Sequence, residues 1–261
     1  MSDQKYAKET VLSTNEWVPG KLFSLTVSRP DNFSFKAGQF ARLGLTHPDY
    51  PDAEPTIWRA YSLVNAPDQP ELEFYAIVVP DGEFSPRLAQ LKPGDSIYID
   101  RTLFGFLTLD RFDPGGTLWL IATGTGLSAY LSMLHDPATW NSFEHIVLVH
   151  GVRTCAELAY KELITSWKSQ SGSAPFTARF TYLPIPTQES LPGTPKARIT
   201  TLLENGQLEV LAKTPLNPAT DKIMLCGNPA MVTDARALLK TKGFAAGRRG
   251  VPGNLAVENY W

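Results

Sequence analysis

The feature that most constrains the fold is a change of texture at Asp113-Pro114-Gly115-Gly116. Before it, from Glu9 to about Leu109, apolar runs are short, alternate at period two and are cut by turn residues. After it, continuous apolar runs alternate with helical stretches. A strand with one wet face alternates apolar and polar side chains, whereas a strand covered on both faces is apolar throughout. The two halves therefore require different sheets. In the first, the segments 22–27, 39–45, 59–64, 72–79 and 96–99 read as strands. With one short helix over 85–91, five or six such strands predict a small antiparallel barrel. In the second, strands over 117–122, 146–150, 176–182 and 222–226 alternate with helices over 127–134, 156–167, from 199 and over 230–242. That order predicts a doubly wound α/β domain on a parallel sheet. The expected domains are 1–110 and 111–261, with the boundary near residues 109 to 115.

Composition narrows the function class. A chain of 261 residues can bury two cores of ordinary size. A net charge of −2 gives no basic field, so nucleic acid is not an expected partner. No run approaches the roughly 18 apolar residues of a membrane span, and the first ten residues, MSDQKYAKET, lack a signal peptide's apolar core. Two cysteines, Cys155 and Cys226, are too few for a disulfide framework or an iron–sulfur cluster. A reducing cytoplasm is the expected setting, and no metal site is expected.

Several short segments carry chemistry. Arg59-Ala60-Tyr61-Ser62 lies in mid-strand. Alternation puts Arg59 and Tyr61 on one face and Ala60 and Ser62 on the other. Arg forks onto phosphate oxygens, Tyr covers a ring face and Ser bonds a polar ring atom. The same residues also suit an edge strand with one solvated Arg. Ser85-Pro86 marks a helix start, with Ser as N-cap and Pro at the first helical position. Such a helix either plugs a barrel end or offers its free N–H groups to a diphosphate. Gly124 and Gly126 lie between a strand and a helix, where backbone approaches phosphate or simply turns. The full dinucleotide fingerprint is absent, since Ser128 and Ala129 follow. Cys226-Gly227-Asn228-Pro229 ends a strand and opens a helix, and a lone Cys there is by default a small buried apolar residue. Arg153 follows a buried strand and can meet a phosphate or solvent. Two aromatics end the chain, Tyr260 and Trp261, where terminal residues are usually polar.

Taken in order, the Arg59 strand, the Ala122-Thr123-Gly124-Thr125-Gly126 loop, the Cys226 to Met231 segment and the Val257 to Trp261 tail resemble one family. It is the ferredoxin–NADP reductases, in the bacterial branch with an aromatic C-terminus, and the likeness runs from about Leu22 to Trp261. The resemblance implies a flavoenzyme with FAD in the barrel and NADP(H) in the α/β domain. It implies FAD contacts from Arg59, Ala60, Tyr61 and Ser62, from the backbone of Tyr75, Ala76 and Ile77, and from Glu83, Phe84 and Ser85. Thr125 would lie near the flavin, and Tyr260 and Trp261 would fold over it. Nucleotide contacts would come from Gly124, Gly126, Arg153, Arg198, Cys226, Gly227 and Asn228. Ser62, Cys226 and Glu258 would sit at the reacting atoms, Cys226 shaping the site beside nicotinamide C4 and not as a covalent nucleophile. Hydride would pass between the nicotinamide and the flavin, and single electrons to ferredoxin or flavodoxin. A monomer is expected. The family's usual basic residue on the 2′-phosphate has Gln188 in its place here, with Arg198 and Lys196 as nearby cations. Lys240, Lys242, Arg248 and Arg249 form either a solvated face or an attractor for an acidic carrier. Two other readings stand beside this one. One is an NADH-linked flavin reductase or oxygenase reductase component; the other is a subunit that holds FAD without turnover.

Overall fold

The computed structural model describes residues 5–50, 53–247 and 252–259. The first half is a six-stranded antiparallel sheet of β1 (Tyr6–Val18), β2 (Leu22–Ser28), β3 (Phe40–Leu45), β4 (Ile57–Ser62), β5 (Glu71–Ile77) and β6 (Ser96–Asp100). Their order is β4-β3-β6-β1-β2-β5. The two outer strands approach one another where Leu63 bridges Phe74 and the Val64 N–H donates to the Glu73 carbonyl at 3.0 Å. The sheet thus curls towards closure as a barrel. Inward positions fill it: Leu25, Val27, Leu43, Leu72, Phe74, Ile97 and Ile99 are at most 1% exposed. Helix α1 (Ser85–Leu88) packs Phe84 and Leu88 onto that core.

The second half is a five-stranded parallel sheet of β7 (Thr117–Thr123), β8 (His145–Val152), β9 (Arg179–Pro186), β10 (Lys222–Gly227) and β11 (Leu255–Asn259), ordered β11-β10-β7-β8-β9. Helices α2 (Leu127–His135), α3 (Pro137–Ser142), α4 (Lys161–Gln170), α5 (Ile199–Glu204), α6 (Gln207–Ala212) and α7 (Pro229–Thr241) connect them. Alternation along β7 explains its unbroken apolar sequence. Leu118, Leu120 and Ala122 face a core shared with Leu131 and Trp140, while Trp119 and Ile121 face one shared with Leu202 and Leu239. Among the described residues no helix is long and apolar enough to cross a membrane.

Five elements differ from the sequence reading. Strand β1 has no apolar alternation to reveal it. Only Ala7 and Val11 of its side chains are buried, and its register with β2 slips between Val11 and Ser13 and between Glu16 and Val18. Its place in the sheet comes from backbone pairing with β6 and β2. Strand β11 escapes notice because it is short and lies in a tail. Strand β9 begins three residues later than expected, and the helix expected over 156–167 starts only at Lys161, after Tyr160 takes a left-handed φ of 58°. Finally, α1 spans four residues and has Phe84 at its N-cap. Ser85 does not cap it; its Oγ accepts from the Val79 N–H at 2.9 Å.

The edge of the parallel sheet away from the β-strand carboxyl ends is fastened by Asp221, which is 3% exposed. Its carboxylate accepts from the Thr117 and Asn217 N–H groups, the Trp119 indole and the Thr220 hydroxyl. A buried carboxylate is tolerated because four donors replace its water. Asp221→Ala orphans the Trp119 indole and is expected to cost about 2–3 kcal/mol, read as a lower urea midpoint of the purified protein. An unchanged midpoint would show that the donors find other partners.

Candidate active site

Two cavities lie where the barrel meets the parallel sheet. The first, of about 630 Å³, is lined by all four residues of the Arg59-Ala60-Tyr61-Ser62 segment. Both faces of this segment reach it because β4 is an outer strand and the cavity wraps its edge. The Arg59 guanidinium bonds only its neighbour's Trp58 carbonyl, at 2.8 Å, among the described residues, which leaves most of its donors for a ligand. Burial pushes the Tyr61 phenol up to about 12, against a small opposing effect of Arg59, so the ring stays neutral. It lies tilted against Phe84, with centroids 5.9 Å apart. Tyr75, Ile77, Glu83, Phe84, Ser85 and Thr125 line the same space. Ala76 does not, because alternation turns its methyl into the barrel core beside Phe74. Phe40, Val79, Gly82 and Asn259 also line the cavity and escaped the sequence reading. Phe40 has a findable signal, an aromatic beginning a strand; its ring stacks on Phe104 at 5.6 Å.

The second cavity, of about 460 Å³, opens at the carboxyl ends of the parallel strands. It brings together the expected Gly124, Arg153, Arg198, Gly227 and Asn228, with Gln188 and Thr125. Thr123 joins them from the Gly124 loop segment, Thr187 from beside Gln188, and Lys21, Thr200 and Asp234 from segments without a motif. Arg153 and Arg198 are exposed, and neither guanidinium has a hydrogen-bond partner among the described residues. Gly126 is buried and outside both linings: a Cβ on it would meet the Cys226 carbonyl oxygen at 2.6 Å. Cys226 departs from the expected arrangement. Its side chain is fully buried in the apolar cluster of Leu120, Ala122 and Leu127, and it lines neither cavity. Strand alternation is the cause: Leu225 faces one layer and Cys226 the other.

Ile77 and Thr125 line both cavities, so the two spaces meet there. Gly227, at φ 129°, closes the wall between the ends of β7 and β10. A Cβ there would meet Thr123 Oγ1 at 2.3 Å, and the neighbouring Asn228 N–H donates to that same Oγ1 at 2.9 Å. Beneath the Gly124 loop sits His150, wholly buried, with its Nε2 3.1 Å from the Gly124 carbonyl. A carbonyl only accepts, so Nε2 carries the proton. Burial pushes the His150 pKa down to about 4, which keeps the ring neutral at physiological pH.

Glu258 lines the first cavity through β11. Its Oε2 accepts from the Phe106 N–H at 3.1 Å, while its buried Oε1 has no partner among the described residues. Burial raises its pKa, opposed by the backbone N–H groups of Phe106 and Leu107. Ser62 lines the same cavity and is 2% exposed. Tyr260 and Trp261, together with Arg248 and Arg249, lie outside the described residues. Among the described residues no cluster of His, Cys, Asp or Glu could hold a metal ion.

The first cavity fits a flavin dinucleotide on three grounds. Its volume falls in the range of cofactor sites, it presents an unengaged guanidinium beside a neutral aromatic ring, and the carboxyl-bearing Glu258 lines it. Comparisons with known proteins point the same way. A family model described as an oxidoreductase NAD-binding domain matches residues 120–237. A flavodoxin/ferredoxin–NADP reductase of Shigella flexneri is 40% identical over 257 residues, covering 94% of this chain and 99% of that protein. A ferredoxin–NADP reductase of Pseudomonas aeruginosa is 37% identical over 254 residues, covering 96% and 95%. A crystal structure described as a ferredoxin NADP+ reductase from Neisseria gonorrhoeae with bound FAD and NADP superposes with a TM-score of 0.90 at 33% identity, over 99% of this chain and 100% of that one. With near-complete coverage in each case, and two cavities meeting at the junction of its sheets, the chain belongs to the bacterial flavodoxin/ferredoxin–NADP reductase family.

Proposed function

We propose that this protein is a ferredoxin(flavodoxin)–NADP(+) reductase that holds FAD in the first cavity and NADP(H) in the second. The observation that carries the reading is that the two cavities share Ile77 and Thr125, which brings the ligands of a barrel and of a parallel sheet into contact. Bound FAD supplies the coupling of two-electron hydride chemistry to one-electron transfer. The chain's residues bind, orient and keep the site dry. Arg59 and the segment Glu83 to Ser85 hold the diphosphate, and Tyr61 covers the ring system. Ser62 and Glu258 face the reacting edge, where Glu258 in its protonated form can donate a proton. Gly124, Gly227 and Asn228 receive the nicotinamide end of the nucleotide, and Arg153 and Arg198 its phosphates. Buried Cys226 acts there through its backbone. The electron partner is a ferredoxin or flavodoxin, drawn in part by Lys240 and Lys242. A monomer is the proposed state. The cytoplasm suits two free cysteines.

An NADH-linked activity is the second reading, because Gln188 replaces a cation and the carboxylate of Asp234 lines the nucleotide cavity. It is weighed by the third test below.

The purified protein is expected to be yellow and to release FAD and not FMN, since FMN has no diphosphate for Arg59. Arg59→Ala is expected to weaken FAD retention by about 1.5–3 kcal/mol, measured by flavin release in dialysis. Recovery of FMN as the only flavin would end this reading.

The second test concerns Glu258. Its raised pKa means that folding favours the protonated form. The stability it contributes is complete below the ordinary value of 4.5 and is lost as pH rises through the raised pKa. Activity that depends on the protonated carboxyl falls over the same interval. Glu258→Gln should remove that limb from the profile of kcat against pH and lower kcat throughout, leaving FAD affinity in place. A limb that survives in the variant belongs to another group.

The third test separates the two nucleotides. One charge-assisted contact to a 2′-phosphate is worth about 1.5–3 kcal/mol, and 1.4 kcal/mol is tenfold. Arg198→Ala should lower the NADPH:NADH ratio of kcat/KM by about tenfold or more, and Gln188→Arg should raise it. A wild type that uses NADH as well as NADPH, with a ratio indifferent to Arg198, favours the NADH-linked reading.

A further inference from the structure

Lys21 lies in the barrel half of the chain, yet its side chain lines the nucleotide cavity of the parallel sheet. Its backbone is pinned from two sides: its N–H donates to the Val18 carbonyl at 3.0 Å, and its carbonyl accepts from the Val78 N–H at 2.8 Å. The ammonium therefore leaves the barrel from a fixed base beside Ile77, which lines both cavities. It pairs with Glu157 Oε1, across the junction of the two halves. The pair is uneven: the Lys21 side chain is 36% exposed and that of Glu157 11%. The other carboxylate oxygen of Glu157 accepts from the Arg153 N–H at 3.1 Å. One carboxylate thus holds both the barrel's cation and the loop that carries Arg153.

A nucleotide diphosphate entering this cavity brings two negative charges against Glu157. Without Lys21 that meeting is repulsive. With it, a compact ammonium on a flexible stem can turn from the carboxylate to a phosphate oxygen, while Arg153 approaches from the other side. The cation enters from the Ile77 side, held by Glu157 beside the backbone of Arg153. The 2′-phosphate is expected at Gln188 and Arg198, which follow β9 at the far edge of the sheet. We propose that Lys21 binds the diphosphate of the nicotinamide nucleotide and that the nucleotide takes it from Glu157, so that binding exchanges an ion pair between the two halves for a ligand bridge between them. This rests on the reading that the nucleotide occupies the second cavity.

The test uses the FAD-loaded protein and redox-inactive ligands, followed by the flavin difference spectrum or by calorimetry. Lys21→Met should raise the Kd of NADP+ and of NAD+ by the same factor, about tenfold. Adenosine 2′-monophosphate, which has no diphosphate, should bind as it does to the wild type. Lys21→Arg should restore most of the affinity, and Glu157→Gln, which releases Lys21, should lower both dinucleotide Kd values. An unchanged Kd in Lys21→Met overturns the proposal and leaves Lys21 as a tie between the halves. A loss confined to NADP+ and adenosine 2′-monophosphate also overturns it, since it puts the cation on the 2′-phosphate. If Lys21→Met loses its flavin, Glu157→Gln decides: tighter dinucleotide binding supports the exchange, and equal or weaker binding overturns it. A wild type that binds neither dinucleotide refutes the functional reading itself, a result distinct from either failure above.

Discussion

The site depends on how closely the chain ends of β7 and β10 approach one another. A Cβ at Gly126 would lie 2.6 Å from the Cys226 carbonyl oxygen, and one at Gly227 would lie 2.3 Å from Thr123 Oγ1. No side chain other than hydrogen fits both places without moving backbone. This contact holds the Thr123 to Gly126 loop against the end of β10. Thr125, on that loop, lines both spaces at once. A hydride needs its donor and acceptor in contact.

The two halves are held in register by polar ties set in an aromatic seam. Tyr160 donates to Glu73 Oε1 at 2.6 Å, and Ser132 to the Asn65 carbonyl at 2.8 Å. The Tyr160 ring meets Tyr75 edge-on at 5.2 Å and Trp17 at 4.5 Å. Burial raises the phenol of Tyr160 and the carboxyl of Glu73 alike. Both groups are partly removed from water, so each relies on the other, and parting the halves would expose an apolar seam along with the bond. Such ties suit a rigid junction, which is what two cofactors at fixed separation require.

Much of this was legible in the sequence, and the reasons differ by element. The unbroken apolar run of β7 could only belong to a strand covered on both faces, and it is one. The Arg59 segment was legible because a fork, a ring and a hydroxyl within four residues are chemically unusual together. What stayed hidden lacks a local pattern. Strand β1 is held by backbone bonds while most of its side chains face water, so hydropathy says nothing of it. Lys21 and Asp234 reach the nucleotide cavity only because of tertiary placement. Ser85 was misread for a related reason. A Ser before Pro offers the chemistry of an N-cap, but the Val79 N–H, brought close by the turn after β5, takes its oxygen. Cys226 is the small buried residue that a lone Cys at a strand end is by default, because strand alternation turns its side chain into the apolar core.

Glu258 shows how the fold delivers a reactive group from a segment with little structure of its own. Strand β11 is five residues long and pairs with β10, in a register that sets Cys226 opposite Glu258 and Gly227 opposite Asn259. Strand β10 in turn sets Cys226 opposite Ala122, immediately before the Thr123 to Gly126 loop. Two parallel registers therefore fix the depth of Glu258 relative to that loop. Side chains alternate, so a slip of one residue would point Glu258 to the other face of the sheet. Leu255 guards against that slip, being 3% exposed in the core with Ile223 and Leu225. Once placed, the carboxyl accepts from the Phe106 N–H on one oxygen, while the other is buried without a partner among the described residues. The same burial that raises its pKa makes it a carboxyl able to hold a proton where an exposed one would have lost it. The raised pKa is thus made by packing: a short, well-registered strand carries an ordinary glutamate into a buried place.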